Sequence, residues 1–502
     1  MTLSRNLLAG LANSIWSALI GLAAVPFYLK YLGMEAYGLI GFFVTTQAVL
    51  SLLDMGMAPT INREVARCSA SGDLKEAGKL LHTLAVVYWG MAGAIALLIL
   101  ALAPLIAEYW LQSKQLSAQT ITHAVMLMGL VVACRWPIGL YQGALMGAQR
   151  LAVTSLINIA MVTIGSLGAV AVLALVSPTI EAFFIWQVFV GLAYAIVIRR
   201  AAWGVVEFDV KKKFEIEELK RIWRFSAGMS AIALTGIVFT QLDKILLSKI
   251  LGLEGFGHYM LATAVVSGLY TMVTPMFNVM YPKFTALAVN NEVEKLEVLY
   301  RVSMQFLSSI LFPASMLLTF FSEELVFVWT SNEALAMSVA PIIAFLSVGS
   351  ALHGVMFLPY ALQMAFGRTK LIFKNNVILM MALVPLIIIL SSYFGALGGA
   401  EAWFMLHILS TLIVTWQVQR YLLYGSAKWY LVDALAPLIL SFAIGGLGNY
   451  FFQLNGYSAY AKLAGGGGLA LVSVILSLLM AKQLRIRILM AIGYKIPKHR
   501  YI

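Results

Sequence analysis

The sequence predicts an all-α polytopic membrane protein with about 14 transmembrane helices, and three observations carry that prediction. Hydrophobic residues make up 61% of the 502 positions and charged residues only 11%, where a soluble chain carries about a quarter charged. The apolar residues fall in runs of about twenty, the length a helix needs to cross the bilayer core. Those runs are too long for barrel strands and lack their period-two alternation. The apolar content also excludes a disordered chain. A soluble chain of this length would form roughly three domains, and there is too little charge to coat them.

The first apolar run, 7–29, follows the single early cation Arg5. It exceeds the ~7–15 residue core of a signal peptide and reads as a retained span. Thirteen further candidates follow at 37–58, 80–104, 120–142, 151–176, 181–198, 225–247, 256–281, 302–322, 337–360, 375–394, 401–419, 433–452 and 463–481, the sixth being short. The segment 199–224 contains KKKFEIEELKRIWR and reads as an interfacial helix. The longest outer loops, 105–119 and 323–336, are too small for a catalytic domain. Cys68 and Cys134 are too few for a disulfide framework and read as free thiols.

With the N-terminus placed inside, inner segments hold 28 of the 34 lysines and arginines and outer loops hold Lys30, Lys114, Lys249 and Lys462. Such a bias sets both termini on the cytoplasmic side. It also accounts for the net charge of +12 through anionic lipid headgroups, without nucleic acid.

An internal repeat is visible. KYLGMEAYG at 30–38 aligns with KILGLEGFG at 249–257, five identities in nine at an offset of 219, and GAQRL at 147–151 aligns with GRTKL at 367–371. Spans one to six and seven to twelve then form two copies of one unit, related by an axis along the membrane normal, with spans thirteen and fourteen appended. The expected organisation is an N-terminal six-helix lobe over 1–200, a cytoplasmic linker over 201–224, a second lobe over 225–424, and two extra spans with a basic tail over 425–502. Such duplicated bundles are characteristic of transporters that rock one half against the other.

The first span ends in PFYLKYLGMEAYG, the second in LLDMGMAPTINREVAR, and the seventh reads TQLDKILLSKILGLEGFGHYM. Together with the 6+6 topology and two trailing spans, these segments resemble the Wzx-like polysaccharide and O-antigen flippases of the multidrug/oligosaccharidyl-lipid/polysaccharide exporter superfamily. The resemblance covers nearly the whole chain. It implies a V-shaped pair of lobes around a central cavity. It also implies outward flipping of undecaprenyl-diphosphate-linked oligosaccharide in a bacterial inner membrane, for O-antigen, capsule or exopolysaccharide synthesis. A glycan polymerase and a chain-length regulator are the partners it suggests. The runner-up is an ion-coupled exporter of small organic cations from the same superfamily. A membrane enzyme would need a sizeable outer catalytic loop. No nucleotide-binding loop, nucleophile elbow or metal-ligand spacing is present, so the reading carries no cofactor and draws coupling from a proton or sodium gradient or the membrane potential.

Moving a diphosphate across ~30 Å of hydrocarbon requires cations in a polar cavity, so the candidate residues are the charges within spans. Arg135, in CRWPIGLYQG of the fourth span, lies roughly 10 Å from the inner end at 1.5 Å per residue. Pro137 should disturb the helix beside it. Arg135 either faces a cavity, where its fork suits phosphate, or snorkels to the inner headgroups. The repeat offset takes Cys134 to His353, which is either a second basic group or a neutral packing residue; His407 reads as structural. Asp54 is either a helix-end residue, reaching water or pairing with Arg63, or a member of an ion-coupling or gating network. Asp243 and Lys244 point about 100° apart on a helix. Both are transport and coupling candidates that the resemblance supports, or they form outer-interface ion pairs with Lys249 or Glu254. Gln241, Asn13, Tyr141 and Gln142 could meet sugar hydroxyls. Arg63 and Arg67 share a helix face and either attract diphosphate at the inner mouth or contact headgroups. GGGG at 465–468 reads as close helix packing.

Overall fold

The computed structural model describes residues 2–54, 56–206, 214–217, 236, 238–423, 431–481 and 485. It is all helical: no strand occurs among the described residues. Thirteen helices there are long and apolar enough to cross a membrane. The first part of the seventh expected span, 225–247, and most of the expected interfacial helix at 199–224 lie outside the described residues.

The first eight helices are α1 (Thr2–Leu32), α2 (Met34–Leu50), α3 (Met57–Ser71), α4 (Leu74–Tyr109), α5 (Ala118–Arg135), α6 (Ile138–Gly147), α7 (Leu151–Leu175) and α8 (Ile180–Trp203). A helix at 238–250, α9, follows. Then come α10 (Leu253–Val266), α11 (Tyr270–Val289), α12 (Val293–Phe320), α13 (Ser322–Thr330), α14 (Glu333–Ala365), α15 (Thr369–Phe394), α16 (Ala396–Tyr421), α17 (Ala436–Leu454) and α18 (Ala459–Met480). The expected spans fall on these helices, with two refinements. The sixth span is a full 24-residue helix, α8, because its polar residues extend the helix beyond the apolar run. The outer segment 323–336 folds largely into α13, whose first turn carries Glu323 and Glu324 where the helix dipole favours negative charge.

Polar side chains outside the apolar stretches cap the starts of several helices. Ser117, Thr179, Asn332 and Ser458 each accept a backbone N–H of the first turn of α5, α8, α14 and α18, satisfying donors that no helix can satisfy internally. Many large apolar residues face outward, such as Leu97, Leu175 and Leu471. This is the surface a protein presents to lipid instead of water.

Contacts divide the chain into two compact units, Met1–Gly257 and His258–Ile502. In the first, α1 packs on α7, α4 on α5, and α5 on α8. The segment 248–253 closes onto this unit. Leu253 N–H donates to Gln112 O at 2.8 Å, Trp110 Nε1–H donates to Ser248 Oγ at 3.0 Å, and the Lys249 ammonium donates to Tyr109 O. In the second unit α14 is the centre, packed by α11, α12 and α16. A π-helical turn, Leu431–Leu435, sets the buried Asp433 carboxylate against α12. Arg301 donates to both its oxygens, at 2.7 and 3.3 Å, and Gln305 donates to it at 2.6 Å. Half of the glycine run packs closely as expected: a methyl at Gly465 or Gly466 would press on Phe452 or Phe321, whereas Gly467 and Gly468 have nothing within 4 Å of such a methyl.

Candidate functional site

The fourth span breaks where Pro137 predicts. α5 ends at Arg135 and α6 begins at Ile138, because proline cannot supply the helical N–H and its ring crowds the preceding turn. The break opens a cavity of about 660 Å³ within the first unit. Its walls come from α2, α4, α5, α6, α7 and α8, with Asp54 and Arg135 as the charged residues lining it.

Arg135 is held by neutral groups. One guanidinium nitrogen donates to Gln187 Oε1 at 2.6 Å, another reaches Gln47 Oε1 at 3.5 Å, and the plane lies 5.5 Å from the Phe43 ring centroid. Gly191 lets the guanidinium stem pass, since a methyl there would lie 3.4 Å from Arg135 Cγ. No carboxylate stands within ion-pair distance of Arg135 among the described residues. The adjacent Trp136 indole N–H is buried and has no acceptor there either.

Beside this centre runs a directed chain of polar groups contributed by four helices. Gln142 donates to Tyr194 OH at 2.8 Å, Tyr194 OH donates to Asn158 Oδ1 at 2.9 Å, and Asn158 donates to Asn13 Oδ1 at 2.6 Å. Gln142, Asn158 and Tyr194 line the cavity, so Gln142 and Asn13, two of the candidates, belong to one network. Tyr141 instead packs fully buried in the core, where its oxygen accepts the Trp89 indole N–H at 3.3 Å.

Asp54 also lines the cavity, but its oxygens are engaged. It accepts the Ala58 N–H at 3.2 Å, capping α3, and the Tyr88 hydroxyl. The alternative of pairing with Arg63 is not realised. Arg67 is turned toward carboxylates: its Nε donates to Glu64 at 3.0 Å and a terminal nitrogen to Glu76 at 2.6 Å. These partners, Glu76 foremost, raise the guanidinium's pKa further. Neither Arg63 nor Arg67 lines the cavity.

Asp243, Lys244 and Gln241 lie in α9 and do not line it either. Contrary to the expectation from helix geometry, Lys244 and Asp243 pair directly, at 3.0 and 3.1 Å, with Lys244 also donating to Thr240 O at 3.1 Å. Asp243 is 2% exposed. A buried acid makes pairing with the nearest cation worth a curled lysine rotamer. His353 lies in the second unit, its Nδ1 2.8 Å from Tyr270 OH and its ring 4.6 Å from that of His407. The His407 Nδ1–H donates to Trp403 O at 2.8 Å.

Sequence reasoning missed Gln47, Asn158, Gln187 and Tyr194. Each is a single uncharged polar residue in an apolar run, and only the three-dimensional convergence on Arg135 and Gln142 distinguishes them. It also missed Glu35. That carboxylate accepts the Ser113 hydroxyl and the backbone N–H groups of Lys114, Gln115 and Leu116 at 2.9, 3.0 and 3.3 Å, and so ties the start of α2 to the loop between α4 and α5.

A family model described as "Polysaccharide biosynthesis protein" matches residues 30–339, more than half of the chain. The chain is 28% identical over 222 residues to the lipopolysaccharide biosynthesis protein WzxC of Escherichia coli K12, an alignment covering 43% of this chain and 44% of that one. It thus spans under half the length of that relative. It is 21% identical over 421 residues to a putative O-antigen transporter of Shigella flexneri, covering 81% of this chain and 97% of that one. Among solved structures, the lipid II flippase MurJ in an inward closed conformation superposes with a TM-score of 0.68 at 15% identity, covering 96% of this chain and all of that one. That likeness shows a shared fold.

Proposed function

This chain belongs to the polysaccharide biosynthesis protein family, and from that premise we propose that it is a transporter, not an enzyme, which flips an undecaprenyl-diphosphate-linked oligosaccharide across the bacterial inner membrane by alternating access. The observation that carries the reading is Arg135, a cation deep in the first unit's cavity that is held by amide and aromatic groups and forms no ion pair among the described residues. An intramembrane charge is costly, and one whose partners are all neutral leaves positive potential in the cavity. A diphosphate completes that site. The planar guanidinium can offer two parallel N–H groups to phosphate oxygens, and the Trp136 indole N–H is a further donor beside it.

The Gln142–Tyr194–Asn158–Asn13 chain supplies neutral donors and acceptors for the glycan. Such groups suit hydroxyl-rich cargo, since they exchange hydrogen bonds without fixing a charge. Asp54 lines the same cavity, but its oxygens accept the α3 cap N–H and the Tyr88 hydroxyl, and it forms no ion pair with Arg135. A cavity built to hold small organic cations would reverse this arrangement, leaving an acid without a partner.

Both termini are assigned to the cytoplasm on the cation bias of the loops. Coupling is assigned to a proton or sodium gradient or to the membrane potential, with Asp54 and the Asp243–Lys244 pair as the ionisable groups in or near spans. A glycan polymerase and chain-length regulator would act on the exported product. Deleting the gene and labelling lipid-linked glycan on intact cells tests the assignment. Loss of outer-leaflet glycan, restored by the wild-type chain, is the expected result. Unchanged exposure of every lipid-linked glycan would overturn it.

A further inference from the structure

The second unit carries a basic cavity away from the site described above. It measures about 430 Å³ and is lined by Gly367, Arg368, Thr369, Lys370, Lys374 and Tyr421 among others. It lies where α14 ends, α15 begins and α16 ends, three helix ends that share one side of the membrane. On the orientation read from the loops, that side is the inner one.

Three features point to the same kind of occupant. Arg368, Lys370 and Lys374 converge within seven residues, and none of them forms an ion pair among the described residues. All three are exposed, and their summed positive potential at the hollow attracts an anion. Second, they surround the start of the 26-residue helix α15, which has no side-chain cap. The Leu371 and Ile372 N–H groups donate to Arg368 O, which leaves the N–H groups of Thr369 and Lys370 and the helix dipole at the hollow. The corresponding end in the first unit, α7, is filled by protein: Asn6 Oδ1 accepts the Ala152 N–H at 3.3 Å, and only Arg150 is basic in that turn. Third, the cavity is at headgroup depth. Trp416 and Tyr421 are exposed at the end of α16, as interfacial aromatics are. The Arg420 guanidinium stacks over both, 5.6 and 5.9 Å from their centroids.

We propose that this cavity binds the phosphate of a lipid headgroup in the inner leaflet. Its chemistry fits two sources: a resident anionic phospholipid, or the diphosphate of a lipid-linked glycan before transport. Basic pockets between helix ends on the cytoplasmic side take anionic headgroups in this manner. The inference does not depend on the cargo assigned to the first unit.

The test uses the purified full-length chain, with phosphatidylglycerol, undecaprenyl diphosphate and phosphatidylcholine as separate probes and bound lipid counted by native mass spectrometry. The wild type should retain phosphatidylglycerol in preference to phosphatidylcholine. The R368Q/K370Q/K374Q variant should lose one such site, with at least a tenfold drop in affinity, while melting at the wild-type temperature. The single variant K374Q should show a smaller drop in the same direction, and K295Q, at an exposed lysine paired with Glu292, none. Displacement of phosphatidylglycerol by undecaprenyl diphosphate from the wild type, but not from the triple variant, assigns the site to the glycan carrier. Phosphatidylglycerol binding without displacement assigns it to a resident lipid. Equal binding by wild type and triple variant, no preference over phosphatidylcholine, or an equal loss in K295Q would overturn the proposal.

Discussion

Gly38 and Gly257 make reciprocal contacts: a methyl group on Gly38 would lie 2.3 Å from the Leu253 carbonyl oxygen, and one on Gly257 would lie 2.6 Å from the Met34 carbonyl oxygen. The repeat offset of 219 carries Gly38 onto Gly257 and Met34 onto Leu253. Each copy of the motif therefore packs its final glycine on the other copy's backbone, as self-complementary twofold contacts do. Backbone cannot move aside as a side-chain tip can. G38A and G257A should each lower the melting midpoint of the purified chain, by about 1–3 kcal/mol of overpacking. The double variant should cost less than the sum, since the first substitution already parts the contact that the second would crowd. Wild-type melting of both single variants would show that the contact yields.

The Arg301–Asp433–Gln305 cluster fastens the turn before α17 to α12. Asp433 is 2% exposed and accepts three hydrogen bonds from Arg301 and Gln305. D433A, which removes the acceptor, should destabilise the chain by about 1–3 kcal/mol. R301M/D433L, which removes both charges, should recover a large part of that loss in a thermal melt. A D433A variant with wild-type stability would mean that the pair contributes nothing.

Tyr194 is the joint of the polar chain, accepting from Gln142 and donating to Asn158. Y194F keeps the ring and removes the hydroxyl. Glycan export should fall several-fold with protein levels unchanged, because two cavity-lining partners lose a shared neighbour at about 1–3 kcal/mol per unsatisfied group. Export rates from matched expression strains decide the point, and an unaltered rate would detach the chain from transport.

Cys68, on α3 outside the spans, is buried with Glu76 close by. Burial first, and the negative charge of Glu76 second, push its thiol pKa upward. A raised thiol pKa lowers the thiolate fraction at neutral pH. Alkylation of the folded chain should therefore be slow at pH 7 and accelerate only above the usual thiol pKa of about 8.5. In E76Q that pH profile should shift toward lower pH. Fast labelling at pH 7 would contradict this assignment.

The spans were legible in the sequence because lipid imposes a strict length on an apolar run, and the break at Trp136–Pro137 because proline has a single backbone meaning in a helix. Arg135 stood out because intramembrane arginines are rare. Its partners did not, since Gln47 and Gln187 look like any other residue in a list of polar residues and gain significance only when α2 and α8 bring them to it. The Asp243–Lys244 pair went the other way. Helix geometry argues against neighbours meeting, but a long lysine chain in a dry setting bends back to the nearest acid. Glu35 meets a loop 78 residues away in sequence and Asp433 a helix 132 residues away, separations that no local pattern encodes.

The most direct test of the central claim is the rate at which lipid-linked glycan appears on the outer leaflet of intact cells carrying R135A, at protein levels matched to wild type, with R135K alongside. A cavity whose positive charge receives the diphosphate predicts near-complete loss in R135A and partial retention in R135K, which keeps the charge and loses the planar fork. Wild-type export by R135A would contradict the account.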